Sequence, residues 1–488
     1  MNKKLLCLVS ALLVFVGATF FVTAVEKQYC MGVPRITEEQ LNGYTQTTEL
    51  DISQIMFEGE PVAFDWDNNC IYVSQSEGQQ KEFSKMQGKL EAADPNYQLF
   101  FLNDLLVIQS GNLYQKVKVV ITTLPVLYLK VEGNYTDPEG TNIVQGKMTL
   151  WNSLGKNTFG YQTKTGAAQW HMRGNSTRIY PKLSWKLNLK ESDGQNRNED
   201  LLGLGSDDDW ILNPMSMDDT FVKEKISQTI WNQLSQNMNY NYSMSEGKYI
   251  ELIINGSYQG LYMLQRRVDA KFLKIDQTKD ILLKGINTWE AENLEDGYEI
   301  IHTPYDFNET YQVMEQVLAH KDGNGIHIDN FIDVSLFLQF LSGSDNYGYK
   351  NMFYALCKMD DGYELRMIPW DTDLSLGVIW GYDYEESMSQ MIERQELALV
   401  RKQVPDIDEK ISKRWAELRS SVYSEENILS IYEEVTKELA NSGAVERDFE
   451  CWGLLHEGED SWDNLSCFIK ERLEVLDEYY DVKEKSIH

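Results

Sequence analysis

Asp371 and Asp373 stand two residues apart in Ile368-Pro369-Trp370-Asp371-Thr372-Asp373-Leu374-Ser375-Leu376-Gly377, just after an apolar, strand-like run. Two carboxylates so spaced at a strand end can share one face and bind a hard cation through oxygen. Upstream lies a second polar cluster, Ser344-Asp345-Asn346-Tyr347-Gly348-Tyr349-Lys350-Asn351. An Asp, then an Asn, then a further Asp is an order suited to phosphoryl transfer, where one carboxylate meets the attacking hydroxyl while an Asn and another carboxylate hold magnesium. In that reading Asp345 is catalytic and Asn351, Asp371 and Asp373 are metal ligands. An isolated Asp-x-Asp also occurs in calcium loops and glycosyltransferases, but the Gly and Glu that an EF-hand requires fall at the wrong positions here.

Phosphoryl transfer also needs cations. Met172-Arg173-Gly174-Asn175-Ser176-Thr177-Arg178-Ile179-Tyr180-Pro181-Lys182 reads as a turn-rich loop between strands. Its Gly lets the backbone approach a ligand, and Arg173, Asn175 and Arg178 could face phosphate oxygens. It is not a P-loop, because Gly-x-x-x-x-Gly-Lys-Ser/Thr is absent. After it, Lys182, Ser184 and Lys186 fall on one face of a strand, where a lysine aimed into a cleft can contact α- and β-phosphates. Glu224 is a candidate to orient such a lysine. Taken singly, these features also describe a polar surface turn, solvated lysines and an Asp-Asn turn cap.

The elements that must position these groups come in two textures. Residues 31–123 read as a small all-β, sandwich-like accessory domain of short alternating runs separated by turn residues. From Leu124 longer strands follow, with Trp185, Leu187 and Leu189 alternating with Lys186, Asn188 and Lys190. Asp218-Asp219-Thr220 signals a helix start, and Val222, Ile226, Ile230 and Leu234 recur at helical spacing. Asn255-Gly256 predicts a hairpin turn. From about residue 310 helical periodicity dominates, over Phe331–Leu341, Ile411–Leu418, Glu426–Leu439 and Trp462–Tyr480. The expected layout is α+β and two-lobed, strand-rich before helix-rich, with a cleft between lobes.

Composition bounds the rest. The 488 residues exceed one ordinary core, and 42% hydrophobic with 12% aromatic content supports sizeable ones. A formal net charge of −31 repels nucleic acid and anionic lipid and suits a basic protein partner. Lys3 and Lys4 precede an apolar run from Leu5 to Val25. Residues 1–25 therefore read as an export signal or a retained membrane anchor, the run matching the ~20 residues a span requires. Either places the remainder outside the cytoplasm. Six cysteines, Cys7 among them in the leader, are too sparse for a disulfide framework, although Cys451 and Cys467 could pair.

The motifs together resemble the CotH family of atypical, spore-coat-type protein kinases. Arg173-Gly174-Asn175-Ser176-Thr177-Arg178 with Pro181-Lys182-Leu183-Ser184-Trp185-Lys186-Leu187 is similar to that family's Arg-Gly-Asn-Ser-Ser-Arg…Pro-Lys-Lys-Ser-Tyr-Lys stretch. Asp209-Trp210-Ile211-Leu212-Asn213, Asp218-Asp219-Thr220-Phe221 and Ile254-Asn255-Gly256-Ser257-Tyr258-Gln259-Gly260-Leu261-Tyr262 also look like it, as do the Asp345–Asn351 and Pro369–Gly377 motifs. The resemblance covers residues 124–480. It implies a two-lobed protein-kinase-like fold, ATP and magnesium, and phosphate transfer to Ser or Thr of a surface or coat protein. By resemblance Asp345 is the catalytic Asp, and Asn351 and Asp371 bind magnesium with Asp373 in support. Lys182, ahead of Lys186, contacts phosphate under an Arg173–Arg178 cover. Two positions depart from the family: Arg266 where many members carry Glu, and Lys223 where Arg is common. The acidic surface favours a basic, Ser-rich acceptor. The competing readings are a non-catalytic surface scaffold with an adhesive β domain, and a metal-dependent glycosyl- or nucleotidyltransferase built on Asp371-x-Asp373.

Overall fold

The structure is a computed structural model that describes residues 29–75, 88–132, 142–153, 161–174, 176–237, 242–286, 293–320, 325–346, 348, 350–377, 384–394, 396–454 and 460–481. The expected leader, 1–25, lies outside the described residues. Among the described residues no helix is long and apolar enough to cross a membrane.

The chain is a mixed α+β protein. Its first part forms a six-stranded sheet, in the order Ala63–Asp65, Cys70–Ser74, Leu113–Thr122, Leu105–Ser110 and Tyr97–Leu102, with Thr45–Gln46 also pairing Leu113–Thr122. A three-stranded sheet of Glu60–Pro61, Ile55–Phe57 and Leu90–Ala92 accompanies it. The hydrophobic core of this part, around Ile71, Phe101, Leu106 and Val117, is continuous with Val126, Tyr128, Trp151, Ile253 and Tyr258 of the next unit.

That unit is a closed seven-stranded barrel, ordered Val126–Val131, Val144–Ser153, Tyr161–Met172, Trp185–Leu189, Asp209–Asn213, Ser257–Arg266 and Gly247–Ile254. The last strand closes it by pairing in parallel with Val126–Val131. Leu127, Leu129, Leu150, Trp170, Leu187, Trp210 and Leu252 fill the interior. Side-chain alternation explains the apolar run at Val126: Leu127 and Leu129 point inward while Val126 and Tyr128 join the neighbouring core. The barrel hairpin turns at Asn255 and Gly256, with φ of +50° and +82°, the two left-handed positions that an Asn-Gly turn supplies.

A second, five-stranded sheet runs Tyr298–His302, Ile281–Gly285, Met352–Lys358, Tyr363–Pro369 and Gly325–Ile326. Against it packs the helix Ile328–Leu341, in which every residue from Asn330 to Leu341 is buried. The helix Lys223–Asn237 joins the same core through Ile226, Ile230, Trp231 and Leu234. Helices Ile407–Leu418, Glu425–Ser442 and Trp462–Tyr479 complete it. The acidic motifs therefore sit at the ends of sheet strands that interrupt the helical half. Met352–Lys358 is buried at six successive positions, so it carries no alternation to announce a sheet. One more helix, Ala444–Trp452, packs on the barrel strand Ser257–Arg266. Cys451 on this helix and Cys467 on Trp462–Tyr479 are both unpaired thiols, so the disulfide considered between them is not formed.

Candidate active site

Strand pairing brings the acidic residues together. In the hairpin of Met352–Lys358 with Tyr363–Pro369, Met352 lies opposite Pro369. The residues flanking that pair, Asn351 and Trp370, are joined by a hydrogen bond from the Trp370 N–H to the Asn351 carbonyl at 3.0 Å. Asn351 and Asp371 both adopt left-handed backbone, with φ of +55° and +58°, a conformation Asn and Asp accept more readily than most residues. Asp345 arrives from a short helical turn, Ser344–Asn346, just beyond the helix Ile328–Leu341. Lys350 Nζ donates to both Asp345 oxygens, at 2.9 and 3.1 Å, and Asn351 Nδ2 donates to one at 2.7 Å.

Thr372 faces away from its acidic neighbours. Its N–H and hydroxyl both donate to Glu224 Oε2 at 2.7 Å, and Gln228 donates to the other oxygen at 3.0 Å. Glu224 thus anchors the Asp371–Asp373 turn to the Lys223–Asn237 helix and orients neither Lys182 nor Lys186. The Leu374 N–H donates to Asp373 at 3.0 Å.

Lys350, Asn351, Asp371 and Asp373 line a cleft of about 480 Å³. The barrel contributes Arg173, Gly174, Ser184 and the Asn213–Met217 loop; the sheet side contributes Lys284, Glu299, Lys350, Asn351, Trp370, Asp371 and Asp373. An adjoining chamber of about 220 Å³ shares Arg173, Lys284, Glu299 and Trp370 and adds Lys186, Asp209, Ile211, Arg267, Val268, Ile301 and Phe353.

Burial raises the Asp371 carboxyl above its ordinary range, against the charges of Arg173 and Lys284, while Asp345 adds to the rise. Burial raises Asp373 further, followed by the charges of Asp371, Glu224, Asp218 and Asp345. Carboxylates crowded in this way are stabilised by a cation between them. Among the described residues no group of three or more His, Cys, Asp or Glu is gathered to hold a metal. The donors available, two carboxylates and an amide oxygen, fit magnesium, which takes one or two protein carboxylates and completes its shell with water and substrate phosphates.

The basic wall differs in part from the one expected. Arg173 stands just past the strand Tyr161–Met172; its N–H donates to the Ser184 carbonyl at 2.9 Å and Nη1 reaches Ser184 Oγ at 3.4 Å. Burial lowers its pKa, and Asp371 supplies the main opposing charge. Gly174, at φ +94°, opens the loop at the cleft wall. Asn175 lies outside the described residues. Arg178 is exposed on the turn Ser176–Ile179 and does not line the cleft. Lys182 is buried instead: Nζ pairs with Asp448 at 2.6 Å, donates to the Leu261 carbonyl at 2.7 Å, and lies 5.0 Å from the ring centres of Phe221 and Tyr262. The strand begins only at Trp185, so alternation does not reach back to put Lys182 beside Lys186. Lys186 does face the adjoining chamber, paired with Asp209 at 3.0 Å. Arg266 turns away to pair with Asp207 at 2.7 Å and stack on Phe272.

Three charged residues of the cleft escaped the sequence reading as site residues. Lys284 ends the otherwise apolar run Ile281-Leu282-Leu283; burial depresses its pKa, with Asp371 the leading opposing charge. Lys350 and Glu299 are the others. A single lysine inside a buried apolar strand was the available signal for Lys284.

Compared with known proteins, residues 170–476 match the family profile described as CotH kinase protein, more than half of the 488-residue chain. No curated protein matches.

Proposed function

We propose that this chain, which belongs to the CotH kinase protein family, transfers phosphate from ATP to Ser or Thr of a protein in the cleft between its barrel and its five-stranded sheet. The barrel then serves as the smaller lobe of a kinase-like fold and the sheet with its helices as the larger. One observation carries the reading: Arg173, Lys284 and Lys350 meet Asn351, Asp371 and Asp373 in a single cleft, and Lys350 pairs there with Asp345 just behind its wall.

In this mechanism Arg173, Lys284 and the backbone at Gly174 bind the phosphates. The adjoining chamber, with Ile211, Val268, Phe353 and Trp370 in its wall, takes the nucleoside. Asp371, Asn351 and Asp373 would hold magnesium, which when bound neutralises charge developing on the transferred group. Asp345 orients the acceptor hydroxyl and takes its proton. Lys350 holds Asp345 in place. Lys186 reaches only the chamber, and Lys182 has a structural role. A scaffold would need none of these groups, and a transferase built on Asp371-x-Asp373 leaves the Asp345–Lys350 pair without a task. We place the cleft outside the cytoplasm, on a secreted or tethered chain, with a basic Ser-rich surface protein as acceptor.

The test is incubation of the full chain with γ-labelled ATP, magnesium and basic Ser-containing peptides, beside Asp371→Ala and Asp345→Asn. Label transfer should be lost in the first variant and fall about 10²–10⁴-fold in the second, the range for removing a general base. A folded wild-type chain that binds no nucleotide overturns the reading.

A further inference from the structure

Asn346 touches none of the groups that meet substrate, yet it sits where the two metal-binding turns meet. It is fully buried. Its side-chain NH₂ donates to the Asn351 carbonyl at 3.0 Å and to the Trp370 carbonyl at 2.8 Å. An amide nitrogen carries two hydrogens, and here each is spent on one of the two turns. The first carbonyl belongs to Asn351 itself, and the second belongs to the peptide unit that begins Asp371.

Asn346 is braced in turn. Its own carbonyl accepts from Arg394 Nη1 at 2.8 Å. The Arg394 guanidinium is fully buried, paired with Glu396 at 2.8 Å, and donates to the Tyr354 hydroxyl at 2.9 Å. Tyr354 lies on the strand that starts directly after Asn351. A chain of contacts therefore runs from Glu396 through Arg394 and Asn346 to both turns.

We infer that Asn346, braced by Arg394, is a positioning residue that fixes the separation of Asn351 and Asp371. The inference rests on reading those two residues as metal ligands. The need for a brace is physical: both residues hold left-handed backbone, sparsely populated even for Asn and Asp, and two such positions side by side keep one separation only where the surroundings enforce it. Aspartate has the shape of Asn but, ionised, donates no hydrogen bond. At position 346 it would confront two carbonyl oxygens and release the turns.

The test uses the full chain with Asn346→Asp and, in case that variant does not fold, Arg394→Lys. Mn²⁺ binding with and without ADP, ADP binding in EDTA, and amide exchange over 350–372 are measured beside the melting temperature. In folded protein, positioning predicts Mn²⁺ affinity weakened about 10–100-fold, as for other residues that orient metal ligands. It also predicts faster exchange at the two turns and unchanged ADP binding in EDTA. A lowered melting temperature with Mn²⁺ affinity and turn exchange both unchanged marks a merely structural residue and overturns the inference. A wild type that binds neither Mn²⁺ nor ADP sinks the phosphotransfer reading, while the exchange measurement still decides this one.

Discussion

Lys182 is buried and Lys284 half-buried, and their neighbours give them opposite consequences. Lys182 is neutralised on the spot by Asp448, with side chains only 5% and 3% exposed. Removing one partner of such a pair strands the other charge and costs about 3–5 kcal/mol. Lys182→Met should therefore lower stability by that amount in denaturant melts and leave nucleotide affinity unchanged. Lys284 looks across the cleft to Asp371. Lys284→Met should leave the melt nearly unchanged and weaken ADP binding, read by calorimetry, by the ~1.5–3 kcal/mol of a charged hydrogen bond. Asp345, Asn351, Asp371 and Arg173 are legible from the sequence because their types and order already imply a shared task; strand pairing joins Asn351 to Asp371, while Asp345 comes from a helical turn and Arg173 from the barrel. Alternation misplaces Lys182 because the strand begins only at Trp185. Lys284 was invisible because a lone lysine normally reads as solvated.

Among the elements, the helix Ala444–Trp452 makes the most specific junction. Asp448 accepts the Leu261 N–H at 2.7 Å, the Trp452 indole donates to the Gln259 carbonyl at 2.9 Å, and Arg447 pairs with Glu251. Gly260 makes the approach possible: its φ is +104°, and an added Cβ would lie 2.3 Å from Asp448 Oδ2. Gly260→Ala should cost at least the ~1–3 kcal/mol of a strained backbone position, read as a lowered midpoint in denaturant unfolding. The strongly periodic helices and the Asn255-Gly256 hairpin were visible beforehand because local chemistry dictates them. The helix at 444–452 and the strand Ile281–Gly285 were not. The first is short and ends on its aromatic anchor, and the second is an apolar run buried on both sides, which periodicity cannot classify.

At the scale of the molecule, residues 29–122 share a hydrophobic core with the barrel. Tyr72 stacks on Tyr258 at 4.9 Å between ring centres, Phe57 meets Trp151 at 5.2 Å and Phe64 meets Tyr128 at 5.3 Å. Deleting this part would expose Val126, Tyr128, Trp151, Ile253 and Tyr258 together. A chain starting at Leu124 should therefore bind the dye ANS, aggregate and lose the unfolding transition of the intact protein, as seen by light scattering and circular dichroism. Three buried ion pairs join the barrel and the helix beside it to residues far along the chain: Lys182 to Asp448, Lys223 to Asp460 and Glu251 to Arg447. During synthesis, the three early partners leave the ribosome between 196 and 266 residues ahead of the groups that neutralise them. Until residues 447–460 are available, the barrel and the helix beside it hold uncompensated charge, which works against their closing early. That delay suits the exported route we propose, in which the polypeptide crosses a translocon before it acquires its final form.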